Sequence, residues 1–162
     1  MSRPLLVIFL TIFVNLVGFG IIIPLLPFYA RTFGASPIAI GLLFASFSLA
    51  QLLAAPLLGD LSDRWGRRPV LILSLIGTAI SFAMLAVAQS LTMLFAARIV
   101  DGLSGGNITT ARAYIADITT EEDRPRAYGL LGAAFGLGFI VGPALGAGLS
   151  NVSYTAPIWG AA

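Results

Sequence analysis

Arg98 and Asp101 are the residues of this sequence best suited to chemistry. They stand three residues apart within an otherwise apolar stretch, 93–118, a spacing that puts both on one face of a helix. A charge at the centre of a bilayer costs about 2.5–3.5 kcal/mol on insertion scales, so such residues pair, face protein or line a wet cavity. A carboxylate held beside a guanidinium in that setting can exchange a proton, its affinity set by burial and by the neighbouring charge. The alternative is a pair that only ties the bundle together. Asn15, Gln51 and Asn107 are amides in similarly apolar surroundings. They are candidates for the wall of a solute path, or for hydrogen bonds between helices.

A second constellation is the charged segment Gly59-Asp60-Leu61-Ser62-Asp63-Arg64-Trp65-Gly66-Arg67-Arg68, with Pro69 after it. Its composition predicts a compact loop. Gly66 permits a tight turn, Asp63 suits the positive end of a helix, and Arg67 suits a forked pair with a carboxylate. Its arginines also serve as plain topology anchors. A third pattern is the glycine series Gly138, Gly142 and Gly146. Glycines four apart flatten one helix face for close approach, and Pro143 removes a backbone hydrogen bond and favours a kink.

The chain has no histidine and no cysteine, which excludes imidazole mechanisms, thiolate metal sites and disulfides. No nucleophile–base pair stands out, so the sequence does not read as an enzyme. Gly102 to Gly106 lie inside an apolar stretch and follow no strand, so they are not a phosphate-cradling loop.

Helices in lipid must position these residues. Only 10% of the 162 residues are charged, 58% are apolar, and the mean hydropathy is +0.97, whereas soluble domains carry about 25% charged residues. Apolar runs of membrane-spanning length predict spans over 4–29, 38–58, 69–88, 93–118 and 127–149, with a sixth starting near 156. The stop at Ala162, where that sixth segment begins, reads as a truncation. Arg3, Arg64, Arg67, Arg68, Arg124 and Arg126 fall on one side of this scheme and Arg31 on the other. The positive-inside rule therefore predicts a cytoplasmic amino terminus. The net charge of +2 is scattered over loops and spans, so nucleic acid is not an expected partner. The fold class is an all-α polytopic membrane bundle, and the lipid bilayer is its first partner.

The pattern G-x-L-x-D-R-x-G-R-R over 59–68 resembles the signature loop between helices 2 and 3 of major facilitator transporters. The resemblance implies a conformational latch made of Gly59, Asp63, Arg64, Gly66, Arg67 and Arg68. In it Asp63 faces a helix end of the other half, and Arg67 pairs with Asp117 at the base of helix 4. Arg98-Ile99-Val100-Asp101-Gly102 is similar to the helix 4 motif of drug:proton antiporters, which implies proton coupling through Arg98. Asp101 replaces the usual glutamine of that motif, so a proton role for it goes beyond the resemblance. Gly138, Gly142, Pro143 and Gly146 match the antiporter motif of helix 5. Gly18 to Pro27 is similar to helix 1 of the same branch.

The tetracycline exporters look nearest, through Ala113 to Thr119 and Phe135 to Pro143. Where they carry intramembrane aspartates in helices 1 and 3, this sequence has Asn15 and Ser81. The resemblance implies two six-helix halves with rocking access, a missing carboxy-terminal half as partner, and proton-coupled efflux of a small drug-like solute across a bacterial inner membrane. No cofactor is implied beyond the proton gradient. A metabolite facilitator or symporter of the same fold is the alternative function. A truncated membrane protein that only associates with other helices is another.

Overall fold

The computed structural model describes residues 3–153 and 155–162. Every regular element among them is a helix: α1 (Arg3–Thr32), α2 (Pro37–Trp65), α3 (Arg67–Ala86), α4 (Leu91–Ser104), α5 (Asn107–Ile118), α6 (Arg124–Ser150) and α7 (Ala156–Ala161). Four of them, α1, α2, α3 and α6, are long and apolar enough to cross a membrane. Their outward faces carry side chains such as Val14, Leu53, Leu57 and Ile140, each more than 60% exposed, which suits contact with lipid.

Local signals start the helices. Ser36 accepts a hydrogen bond from the Ala39 amide at 3.2 Å, and Pro37 opens α2 where its missing N–H costs nothing. Ser90 accepts from the Met93 amide at 3.3 Å at the start of α4.

Two expectations are corrected. The segment 59–68 is not a loop, because α2 remains helical to Trp65 and only Gly66 interrupts it before α3. Gly66 has φ +93° and ψ 158°, a conformation open essentially to glycine alone. The continuous fourth span expected over 93–118 is two helices, α4 and α5, parted at Gly105–Gly106. There the Gly105 amide donates to the Gly102 carbonyl at 3.0 Å and the Gly106 amide to that of Ser104 at 2.8 Å. The Gln51 side-chain amide donates across from α2 to the Gly105 carbonyl at 3.1 Å. A backbone group released by the break thus finds a partner inside the bundle, as lipid requires.

α1 runs along α6, and α2 along α4. α3 packs on both α4 and α5. The interior holds two apolar clusters, one around Ile22, Leu26, Phe82, Leu85 and Leu94. The other surrounds Ile8, Ile12, Leu16, Leu71 and Ile115. A polar layer lies between them. It contains the buried Ser74, Thr78, Ser81, Arg98, Asp101 and Asn107. Most buried polar side chains are partnered, and here Ser74 Oγ is an exception among the described residues.

Candidate functional site

α4 carries both ions of the polar layer. Arg98 Nη1 lies 2.6 Å from Asp101 Oδ2, and the two side chains are 1% and 4% exposed. The i,i+3 spacing makes this pair a property of the helix itself. Elements around it supply the rest. On α3, Thr78 lines the same cavity as Asp101, and the buried Ser81 hydroxyl donates to the Thr78 carbonyl at 2.9 Å. Above the guanidinium stand two aromatic rings from other helices, Phe47 of α2 with its centroid 4.2 Å from Arg98 Cζ and Phe19 of α1 at 5.7 Å. A cation over aromatic faces gains about 2 kcal/mol or more once desolvated. Arg98 Nε has no hydrogen-bond partner among the described residues. Asp101 and the two rings therefore hold this charge in place.

A cavity of about 170 Å³ opens beside the pair, and Asn15, Gln51, Asp101 and Asn107 all line it along with Phe19, Phe47 and Phe135. The three amides expected on a solute path are thus brought together with the ionisable pair. They are not equivalent. Gln51 is engaged with the Gly105 carbonyl, and Asn107 Oδ1 accepts from the Ile108 amide at 2.8 Å at the start of α5. Asn15 contributes to the wall from α1. Such a wall, in which phenylalanines alternate with convergent polar groups, has the make-up of a small-molecule site.

Close helix approach closes the back of this layer. A Cβ on Gly102 would stand 2.4 Å from the Phe47 carbonyl oxygen, so the absence of one is what lets α2 and α4 meet beside the ions. Gly138 and Gly142 do the same between α6 and α1, where added Cβ atoms would lie 2.7 Å from Leu16 Cβ and 2.6 Å from the Val17 oxygen. Gly146 is less tight, its nearest atom being Ile21 Cγ2 at 3.5 Å. Pro143 lies within α6, which stays helical from Arg124 to Ser150.

At the end of the bundle that holds the charged segment, Arg67 collects three partners. Its Nε donates to Asp117 Oδ2 at 2.9 Å, its Nη1 donates to Ser62 Oγ at 2.7 Å, and its Nη1 also pairs with Asp63. The Asp117 hydrogen bond is the chief influence that keeps Arg67 above even the ordinary guanidinium range. Asp63, expected to face a helix end of the other half, is turned to Arg67 in this structure. Arg64 pairs with Asp60 at 3.1 Å on an open surface, a type of contact worth about 0–1 kcal/mol. An added Cβ on Gly59 would meet nothing within 4 Å, and Arg68 is exposed.

Sequence reasoning passed over four participants. Ser62 reads as an ordinary loop serine until α2 is seen to carry it, buried, to Arg67. Phe19 and Phe47 are distant in sequence and carry no spacing signal. Arg112 lies within the fourth expected span and belongs to none of the motifs. An intramembrane arginine with no acid three or four residues away was the available signal.

Comparison with known proteins shows the family of the chain. The family model described as Major Facilitator Superfamily matches residues 8–162. The chain is 45% identical to the tetracycline resistance protein, class C, of Escherichia coli over 99% of its own length and 41% of that protein's. Against the quinolone resistance protein NorA of Staphylococcus aureus it is 32% identical, over 98% of this chain and 41% of the relative. The solved structure of the human organic anion transporter MFSD10 (TETRAN) superposes with a TM-score of 0.86 at 30% identity, covering 99% of this chain and 45% of that one. The chain thus spans about two fifths of the length of the curated relatives it matches.

Proposed function

The chain belongs to the Major Facilitator Superfamily, and from that premise we propose that it forms the amino-terminal part of a proton-coupled exporter of small drug-like solutes in a bacterial inner membrane. The observation that carries this reading is the Arg98–Asp101 pair, buried at the wall of a cavity rich in aromatic side chains. An ionisable carboxylate inside a membrane bundle is a functional site by default.

The two absent aspartates that separate this chain from tetracycline exporters bear on the same point. At the helix 3 position stands Ser81, buried in the same polar layer as Asp101. In this reading the carboxylate of that layer is supplied by α4 instead of α3. At the helix 1 position, Asn15 lines the same cavity without a charge. In this reading Asp101 takes the proton. Arg98 stabilises the charged form, and Phe19 and Phe47 keep the guanidinium in position when the carboxylate is neutral.

Alternating access needs a second half, and the Arg67–Asp117–Asp63 cluster is the proposed latch at the cytoplasmic face. Because relatives are named for tetracycline and quinolone resistance, antibiotics of these two classes are the first solutes to try. The test uses everted membrane vesicles containing the complete transporter. Addition of tetracycline or norfloxacin to energised vesicles should release part of the stored proton gradient, and a protonophore should abolish drug accumulation. Drug accumulation that survives the protonophore would favour a facilitator of the same fold.

A further inference from the structure

Arg112 is the one arginine of α5, and it is exposed. It lies five residues from Asp117 at the end of α5, which at 1.5 Å per residue is about 7–8 Å deeper into the bundle. None of the four ion pairs of the described residues includes it. Its own helix offers no acid one turn away, since Ile108 and Ala116 occupy those positions.

Its surroundings form a second recess of about 450 Å³, lined by Arg112, Tyr128, Leu131, Gly132 and Phe135. Phe135 also lines the cavity beside the buried ion pair, and so does Ile108, one turn before Arg112 on α5. The two recesses therefore adjoin at Phe135, and the second forms a groove between α5 and α6 with aromatic and aliphatic side chains along its wall and Arg112 beside them. Tyr128 is held there by the hydrogen bond its hydroxyl donates to the Arg112 carbonyl at 3.3 Å. That bond uses the Arg112 backbone and leaves the guanidinium free of it.

A guanidinium recognises carboxylates by a paired, planar contact that a point charge does not offer. We propose that Arg112 is an anion-receiving position on the solute path, and that the groove takes aromatic solutes bearing a single carboxylate. The carboxylate meets Arg112, and the ring lies against Phe135 and Tyr128. This deepens the efflux reading and rests on it only for the statement that the bound solute is cargo.

The test needs no transport. A Cβ on Gly132 meets nothing within 4 Å, so Gly132→Cys places a thiol in the recess without disturbing packing, and the chain has no cysteine of its own. In the complete transporter, with reactive thiols elsewhere replaced, the rates of labelling by anionic and cationic methanethiosulfonates are compared, each relative to a free thiol. Opposite charges feel Arg112 with opposite sign, and a bias of about tenfold toward the anionic reagent is expected at a separation of several ångström. Arg112→Gln should remove the bias and Arg112→Lys should keep it. Salicylate should slow labelling, whereas salicylamide at the same concentration should not, and Arg112→Lys should weaken that protection.

A bias that persists in Arg112→Gln, or equal protection by the two solutes, overturns the proposal. Bias without any protection also overturns it, and assigns Arg112 to a carboxylate of the other half or to a lipid phosphate. All of these readings are made without a gradient, so a failure of proton-coupled efflux leaves them standing.

Discussion

Gly142 and Gly136 lie on the same helix and should respond to alanine with opposite signs. A methyl group on Gly142 would come within 2.6 Å of the Val17 carbonyl oxygen and 2.9 Å of Gly20 Cα. Both are backbone atoms of α1, so no rotamer change can move them aside, and the two helices must part by several tenths of an ångström. The neighbouring contacts would loosen too, because a Cβ on Gly138 is 2.7 Å from Leu16 Cβ. Overpacking of this kind costs about 1–3 kcal/mol, against which alanine returns about 0.8–1 kcal/mol of helix propensity. The net is a loss of up to about 2 kcal/mol. At Gly136 an added Cβ meets nothing within 4 Å, so only the propensity gain of up to about 1 kcal/mol remains.

The two variants should therefore differ by about 2 kcal/mol, which is about thirtyfold in the folding equilibrium. Dodecyl sulfate titration of the purified chain in mixed micelles, followed by helical circular dichroism, reads that difference. Equal destabilisation of both variants would mean that glycine is required for flexibility and not for the α1–α6 contact. No effect in either would refute the packing argument outright.

Other expectations follow from the same geometry. Gly66→Ala forces a side chain into φ +93° and should cost about 1–3 kcal/mol, visible as a lower unfolding midpoint and weaker expression. Arg67→Ala should change the chain's stability by no more than about 1 kcal/mol, because the carboxylates it pairs with are more than half exposed. It should nevertheless slow transport by the complete protein, and unchanged transport would remove the latch role. The guanidinium is held above its ordinary range by Asp117. The stability it adds is fully present below the unfolded value and lost only as pH rises through the folded one. Unfolding titrations of wild type and Arg67→Ala should therefore keep a constant offset from neutral to mildly alkaline pH.

Much of the fold was legible because lipid leaves few options: apolar runs of spanning length must be helices, and the described residues contain only helices. The misreadings have physical causes. Gly105–Gly106 lie in a run apolar enough to pass for uninterrupted span, and hydropathy does not register a backbone break that a distant glutamine satisfies. The end of α2 reads as a loop in the sequence because its residues are charged. Yet Asp60–Arg64 is an i,i+4 pair, a pattern that supports a helix leaving the apolar layer. At the site, the Arg98–Asp101 contact was readable from spacing alone. Its aromatic cover was not, since Phe19 and Phe47 come from α1 and α2, and only assembly of the bundle brings them over the guanidinium.

Proton coupling through Asp101 is put to the test by Asp101→Asn in the complete transporter. The amide keeps the size of the carboxylate and still offers an oxygen to Arg98, so the bundle should assemble as before. Drug accumulation in energised everted vesicles and drug exchange without a gradient are measured side by side. Accumulation against a gradient should be lost while exchange continues. Undiminished proton-driven accumulation by Asp101→Asn would contradict it and move the proton to another group.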